Sequence, residues 1–317
     1  MTFPQMNRRR AIAAGSGTLA AFLAASRLGL AQQAQQGGDA GLTLETLNGK
    51  RVLCFTKSAG FEHSVVKREG DAPAYAERMM QAFAKKYGFE VTATKDGGVF
   101  DNAFQDYDCF FFYTTGDLTD PNVKNADREP PMSKQGKENL LQAIRGGKGF
   151  AGAHCASDTF HSPGGGKWEN TQQRDPYIAM IGGEFAGHGE QQPAKMVVVD
   201  ADFPGVELGG AAFTLHEEWY SLKNIASDMH VILLQDTGGM KNFDYERPPY
   251  PATWARREGE GRVFYTSMGH REDVWTNPIF ESTLMGGLAW ASRAIDAEIP
   301  PNVQEAAPES DVLPKKS

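Results

Sequence analysis

Seven histidines stand in this chain of 317 residues, and three of them follow apolar runs that end in small residues. His63 lies in Gly60-Phe61-Glu62-His63-Ser64, His154 in Gly152-Ala153-His154-Cys155-Ala156, and His270 in Ser267-Met268-Gly269-His270. An imidazole titrates near neutrality and can move protons or ligate a metal. A fourth segment, His216-Glu217-Glu218-Trp219-Tyr220, adds two carboxylates and a phenol, and His188 sits in the glycine-rich Gly182-Gly183-Glu184-Phe185-Ala186-Gly187-His188. Such a set suits general acid–base catalysis, with a divalent metal such as zinc as a possible further member. The metal candidates are His63, His154, Glu218 and His270. To share one metal or one small substrate, the three imidazoles must lie within about 12 Å of one another. His-Glu-Glu is not His-Glu-x-x-His, so the metalloprotease pattern is absent. If residues 216–220 are extended, His216, Glu218 and Tyr220 share a face. His161 and His230 read as structural.

Gly152 to Ser157 has the small-x-X-x-small form of a nucleophile elbow, the tight strand-to-helix turn that presents one side chain to a pocket. The apex here is His154. Cys155 is the rival nucleophile, but an elbow displays only its apex, so this thiol should point inward. Cys54 and Cys109 lie inside apolar runs, and three cysteines cannot make a complete disulfide framework.

These residues need strand ends to hold them. Arg51–Thr56, Glu90–Thr94, Asp108–Tyr113, Gly149–Ala153, Met196–Val199, Met229–Leu234 and Arg262–Thr266 read as strands. Helices alternate with them: one opens at Pro73 and ends at Gly88, one is capped by Ser133 and stops at Gly146-Gly147, and a last one spans 278–293. The alternation predicts an α/β fold with a doubly wound, mostly parallel sheet, a flavodoxin-like three-layer sandwich. In such sheets ligands bind beyond the carboxyl ends of the strands, where His63, His154 and His270 fall. The folded domain is expected over 49–295, with a loop-rich insertion at 156–193, a flexible linker at 32–48 and a disordered tail at 296–317.

Arg8-Arg9-Arg10 followed by an Ala- and Gly-rich run to Ala31 reads as a twin-arginine-type signal peptide over 1–31, which implies a periplasmic or secreted protein. The run carries Arg27 and is poor in leucine, so no membrane anchor is expected after cleavage. Removing it takes four arginines and no acids, which moves the formal charge from −8 to 28 − 40 = −12. Without a basic stripe, nucleic acid is excluded as a partner.

Taken in order, Gly60 to Ser64, Gly149 to His154, Gly182 to Phe185 with His188, Glu217 to Tyr220, Pro251 to Trp254, Gly261 to Tyr265, Gly269-His270 and Trp290-Ala291 resemble the ThuA-like (trehalose-utilisation) family. That family's fold is similar to the class I glutamine amidotransferases. In the amidotransferases the elbow apex is a cysteine that attacks glutamine; His154 in its place removes that chemistry. The family's acid pair resembles Asp-Glu, and here it is Glu217-Glu218. The resemblance implies action on disaccharides or glycosides after oxidation at C3 by a partner sugar 3-dehydrogenase. A C3 ketone acidifies the C2 proton, so a base can remove it, the C1 oxygen can leave and water can add back. His154, His63, Glu218, Tyr220 and His270 are the expected catalytic residues, with His188, Glu217 and Trp219 binding substrate. The alternative is a non-catalytic carbohydrate-binding or accessory module, with Trp168, Trp219 and Trp275 offering ring faces to a sugar.

Overall fold

The structure is a computed structural model that describes residues 42–43, 45–123 and 127–315. Residues 1–31, where a signal peptide is expected, and most of the expected linker lie outside the described residues. The described residues form eleven strands: β1 Arg51–Phe55, β2 Glu90–Thr94, β3 Cys109–Phe112, β4 Gly149–Ala153, β5 Glu184–His188, β6 Gln192–Val198, β7 Ala212–Glu217, β8 Tyr220–Lys223, β9 His230–Asp236, β10 Tyr250–Glu258 and β11 Gly261–Thr266. The helices are α1 Tyr75–Tyr87, α2 Val99–Asn102, α3 Lys134–Arg145, α4 Pro176–Ile181, α5 Glu272–Trp275, α6 Pro278–Ala291 and α7 Val303–Ala306.

Nine strands form one sheet in the order β2-β1-β3-β4-β11-β10-β9-β6-β7, and β5 pairs with β8 in a small second sheet. From β2 to β11 every pairing is parallel. From β11 to β7 every pairing is antiparallel. The α/β class expected from the alternation is present, with a sheet that is mixed rather than mostly parallel. The antiparallel half escapes a reading of strand–helix alternation because its strands follow one another without an α-helix between them, and neither β7 nor β10 was anticipated.

Hydrophobic patterning explains the central position of β3. All four of its residues are buried, and Phe110 and Phe112 join Phe55, Phe100 and Phe150 in a cluster with centroids 5.1–5.8 Å apart. Each such side chain contributes about 1.5–3 kcal/mol by leaving water. The helix boundaries follow local chemistry. Ser133 accepts a hydrogen bond from the Gly136 N–H at the start of α3, and Asn277 accepts one from Ile279 N–H at the start of α6.

Two expected boundaries are corrected. Leu47, assigned to the linker, is fully buried, and its N–H donates to the Tyr87 carbonyl. The tail after Ile295 is ordered through residue 315 rather than disordered. Asn302 donates to Val231 O and accepts from Val231 N, while the buried Arg247 donates to Ser310 O. Proline content alone suggested disorder, yet these bonds and the buried Val303 and Ala307 tie the segment down. No helix of the described residues is long and apolar enough to cross a membrane.

Candidate active site

The carboxyl ends of β1, β4 and β11 carry the three imidazoles to one place. His154 leaves β4 directly, with φ +46°, a left-handed conformation that costs about 1–3 kcal/mol for a residue with a Cβ. The turn is held from several sides. The His154 carbonyl accepts from Tyr265 Oη at 2.7 Å and from Ser157 Oγ at 3.3 Å. Gly152 is needed at the approach, because a Cβ there would lie 2.9 Å from that of Ala156. His154 is therefore the apex of the elbow. Cys155 is buried, and burial raises its thiol pKa well above the ordinary value, so it stays protonated and inert.

The His154 Nδ1–H can donate to the Ser267 carbonyl at 3.1 Å, which leaves the Nε2 lone pair free on the other side. That Nε2 is 3.2 Å from His270 Nδ1 and 3.5 Å from Glu218 Oε2, and His270 Nδ1 is 3.1 Å from the same carboxylate oxygen. The His63 ring is 5.0 Å from that of His154 and 5.2 Å from that of His270. One ligand atom from each of His63, His154, Glu218 and His270 lies within 4.8 Å of all the others. These separations are far inside the span set by a shared metal or small substrate.

Electrostatics favour neutral His63 and His154 rings beside one anion. Burial pushes the His63 pKa down to about 2, assisted by His154 and His270. Burial likewise lowers that of His154, against the pull of Glu218. Burial opposes ionisation of Glu218, but the imidazoles of His154 and His270 against its carboxylate outweigh it and hold its carboxyl well below the usual range. Unprotonated imidazoles beside an ionised carboxylate are the donor set a zinc-like cation requires. The spacing fits too: bonds of about 2.05 Å in a tetrahedron place ligand atoms about 3.3 Å apart. Buried His63 Nδ1 has no hydrogen-bond partner among the described residues.

The remaining predicted residues take different places. Tyr220 is buried, its Oη 3.3 Å from His63 Nε2 and its ring 4.1 Å from that of His154. Burial raises its pKa well above 10, so it is a neutral phenol that orients His63. His188 ends β5, is half-exposed, and has Nδ1 3.4 Å from Glu218 Oε1 and 3.0 Å from the Gly189 carbonyl. Glu217 and Trp219, expected to bind substrate, are both fully buried. Glu217 is fully buried and accepts three backbone N–H bonds, from Glu218, Gly269 and His270. Burial raises its pKa to about 7 against those bonds. It fastens the end of β7 to the segment carrying His270. Trp219 is fully buried with its Nε1–H donated to Gln192 O, and Trp275 is buried as well, so neither face is open to a sugar. Trp168 is half-buried, edge-on to Phe243 at 5.4 Å. His216 is exposed: the alternation breaks between β7 and β8, so Glu218 and Tyr220 reach the cluster and His216 does not.

His161 pairs with Asp158 and Glu184, and His230 with Asp200 and Pro300 O. Sequence reasoning missed the supports: Tyr113 and Trp275, which both donate to Gly269 O, and Tyr265 and Ser267 under His154. Tyr113 and Tyr265 close strand runs on the same rim, which was the available signal. Their partners are backbone carbonyls that no side-chain pattern marks.

The trehalose-utilisation family ThuA matches residues 51–291 of this chain. Among curated proteins none matches. A ThuA-like protein from Bacteroides uniformis is 17% identical, with a TM-score of 0.57 over 77% of this chain and 91% of that one. A second, from Parabacteroides merdae, is 14% identical, with a TM-score of 0.49 over 80% of this chain and 93% of that one. At such identity the first of these speaks for the fold alone. The family match covers every residue of the His/Glu cluster, and the chain belongs to the ThuA trehalose-utilisation family.

Proposed function

We propose that this protein is an exported enzyme that cleaves 3-keto-glycosides or keto-disaccharides by His/Glu acid–base chemistry, downstream of a sugar 3-dehydrogenase. The observation that carries the reading is the convergence of three imidazoles on the ionised Glu218 carboxylate at the strand-end rim, with His188 on the other oxygen of that carboxylate. A divalent ion such as zinc held by His63, His154, His270 and Glu218 would supply positive charge for the enolate that develops on the sugar. The chain's own residues handle the protons. His188 presents Nδ1 to Gly189 O and Glu218, so its Nε2 lone pair is free to act as a base. It takes the C2 proton; electrons move toward the C3 ketone and then expel the C1 oxygen, which collects that proton. Water then adds across the resulting double bond, hydroxyl to C1 and proton to C2, giving net hydrolysis. Glu217 and Tyr220 hold the geometry without touching the sugar. Export is supported by Arg8 to Arg10 and the small-residue run to Ala31.

The test is turnover of methyl 3-keto-glucoside and 3-keto-trehalose by the wild type and His154→Ala. Loss of at least about a hundredfold in kcat/KM is expected, the scale of removing one group that stabilises developing charge. Unchanged turnover would sink the proposal.

A further inference from the structure

Phe61 is 68% exposed, ahead of Leu208 and Val312 among the exposed large apolar side chains of the described residues. Leaving it in water forgoes most of the stabilisation that burial returns. A single exposed apolar residue is ordinary by itself. Two features set Phe61 apart.

Its backbone is fixed. Ala59 N–H donates to Thr115 O at 2.8 Å, Gly60 N–H to Thr115 Oγ1 at 3.3 Å, and Thr115 Oγ1–H to Phe61 O at 2.9 Å. The two loops meet so closely that a Cβ on Gly116, at φ +74°, would lie 2.6 Å from Gly60 N. The loop is thus held in the conformation that displays the ring. Its place is the second feature. The Phe61 ring stands edge-on to His63 with centroids 5.0 Å apart, and His63 is itself a member of the cluster. Beside the same cluster, the half-buried Phe185 ring packs 4.2 Å from that of Tyr220.

A rigid, open aromatic face next to a polar, anionic cluster is complementary to a ring that is apolar on its C–H face and polar around its edge. We propose that Phe61 is the platform on which the sugar ring of the substrate lies, its C–H face on the phenyl and its oxygenated edge toward His63, His270 and Glu218. This rests on the glycoside reading above and narrows it to closed pyranose rings, as opposed to open-chain polyols.

The variants are Phe61→Ala, Phe61→Leu and Phe61→Trp. Kinetics use methyl 3-keto-glucoside, and calorimetry uses methyl glucoside, which carries no C3 ketone. Phe61→Ala should raise KM and Kd about tenfold, close to 1.4 kcal/mol, with kcat within about twofold and an unchanged melting temperature. Phe61→Trp should restore binding, whereas Phe61→Leu, apolar but not flat, should not. Wild-type KM and Kd in Phe61→Ala, or rescue by leucine as good as by tryptophan, overturns the platform. If the wild type binds the sugars but cleaves none, the enzyme reading fails and the platform is judged on Kd alone. If no sugar binds the wild type, both fall.

Discussion

Loading the His/Glu cluster with zinc should stabilise the fold, and replacing His154 should abolish the effect. His270 Nδ1, His154 Nε2 and Glu218 Oε2 are separated by 3.1, 3.2 and 3.5 Å, already close to the edge of a zinc tetrahedron, so little rearrangement opposes binding. The rings of His63 and His154 are held neutral by burial and Glu218 is held ionised, so few protons need be displaced near pH 7. At a free zinc concentration about 100 times Kd, linkage adds about 2.7 kcal/mol to the stability of the folded state. A domain of this size gains about 2–4 °C for each kcal/mol, so the melting temperature should rise by about 5–11 °C. The assay is thermal unfolding with zinc and with a chelator, together with elemental analysis of the purified protein. His161, His216 and His230 lie outside the cluster and set the background, which His154→Ala measures. A wild-type shift no larger than that of His154→Ala, with less than about a tenth of an equivalent of any divalent metal bound, would refute the reasoning.

Two further predictions concern the elbow and the loop beyond it. Gly152→Ala should cost about 1–3 kcal/mol by overpacking, since its Cβ meets Ala156 at 2.9 Å and the Phe150 and Tyr265 rings at 3.2 and 3.3 Å; a denaturant midpoint equal to wild type would contradict this. His161 is raised to about 9 by hydrogen bonds to Asp158 and Glu184, so its contribution is fully present below pH 6.5 and is lost as pH rises through 9. Its ring is half-exposed, which keeps that contribution under about 1 kcal/mol, and the stability gap between wild type and His161→Gln should close between pH 6 and 9.5; parallel pH profiles would count against it.

The parts of the molecule legible in sequence were those fixed by near neighbours. The apolar Asp108–Tyr113 run read as a strand, and Ser133 and Gly88 marked helix ends through bonds spanning only a few residues. The imidazoles at the ends of β1, β4 and β11 were legible because the carboxyl edge of a parallel sheet is a fixed address. Glu217 was not: its partners Gly269 and His270 lie 52 and 53 residues away and are backbone groups. The face expected to hold His216, Glu218 and Tyr220 lost only His216, because strand alternation holds only while the strand continues, and β7 stops at Glu217. The tail failed likewise, since what orders it is contact with Val231 and Arg247, remote in sequence.

The passage from β7 to β8 has a consequence for the order of assembly. Glu218 sits where the chain leaves the edge of the large sheet for the small one, and its neighbours His63, His154 and His270 come from both sides of it in sequence. The contact between Tyr220 and His63 closes a loop of 157 residues, and that between His270 and His154 one of 116. Loop closures of that length follow the formation of local structure, and the last of them must wait until residue 270 is available. A nascent or clipped chain ending before that point holds every other member of the cluster yet has no closed site. Closure of the cluster thus reports that the chain has been made and has docked at least as far as residue 270.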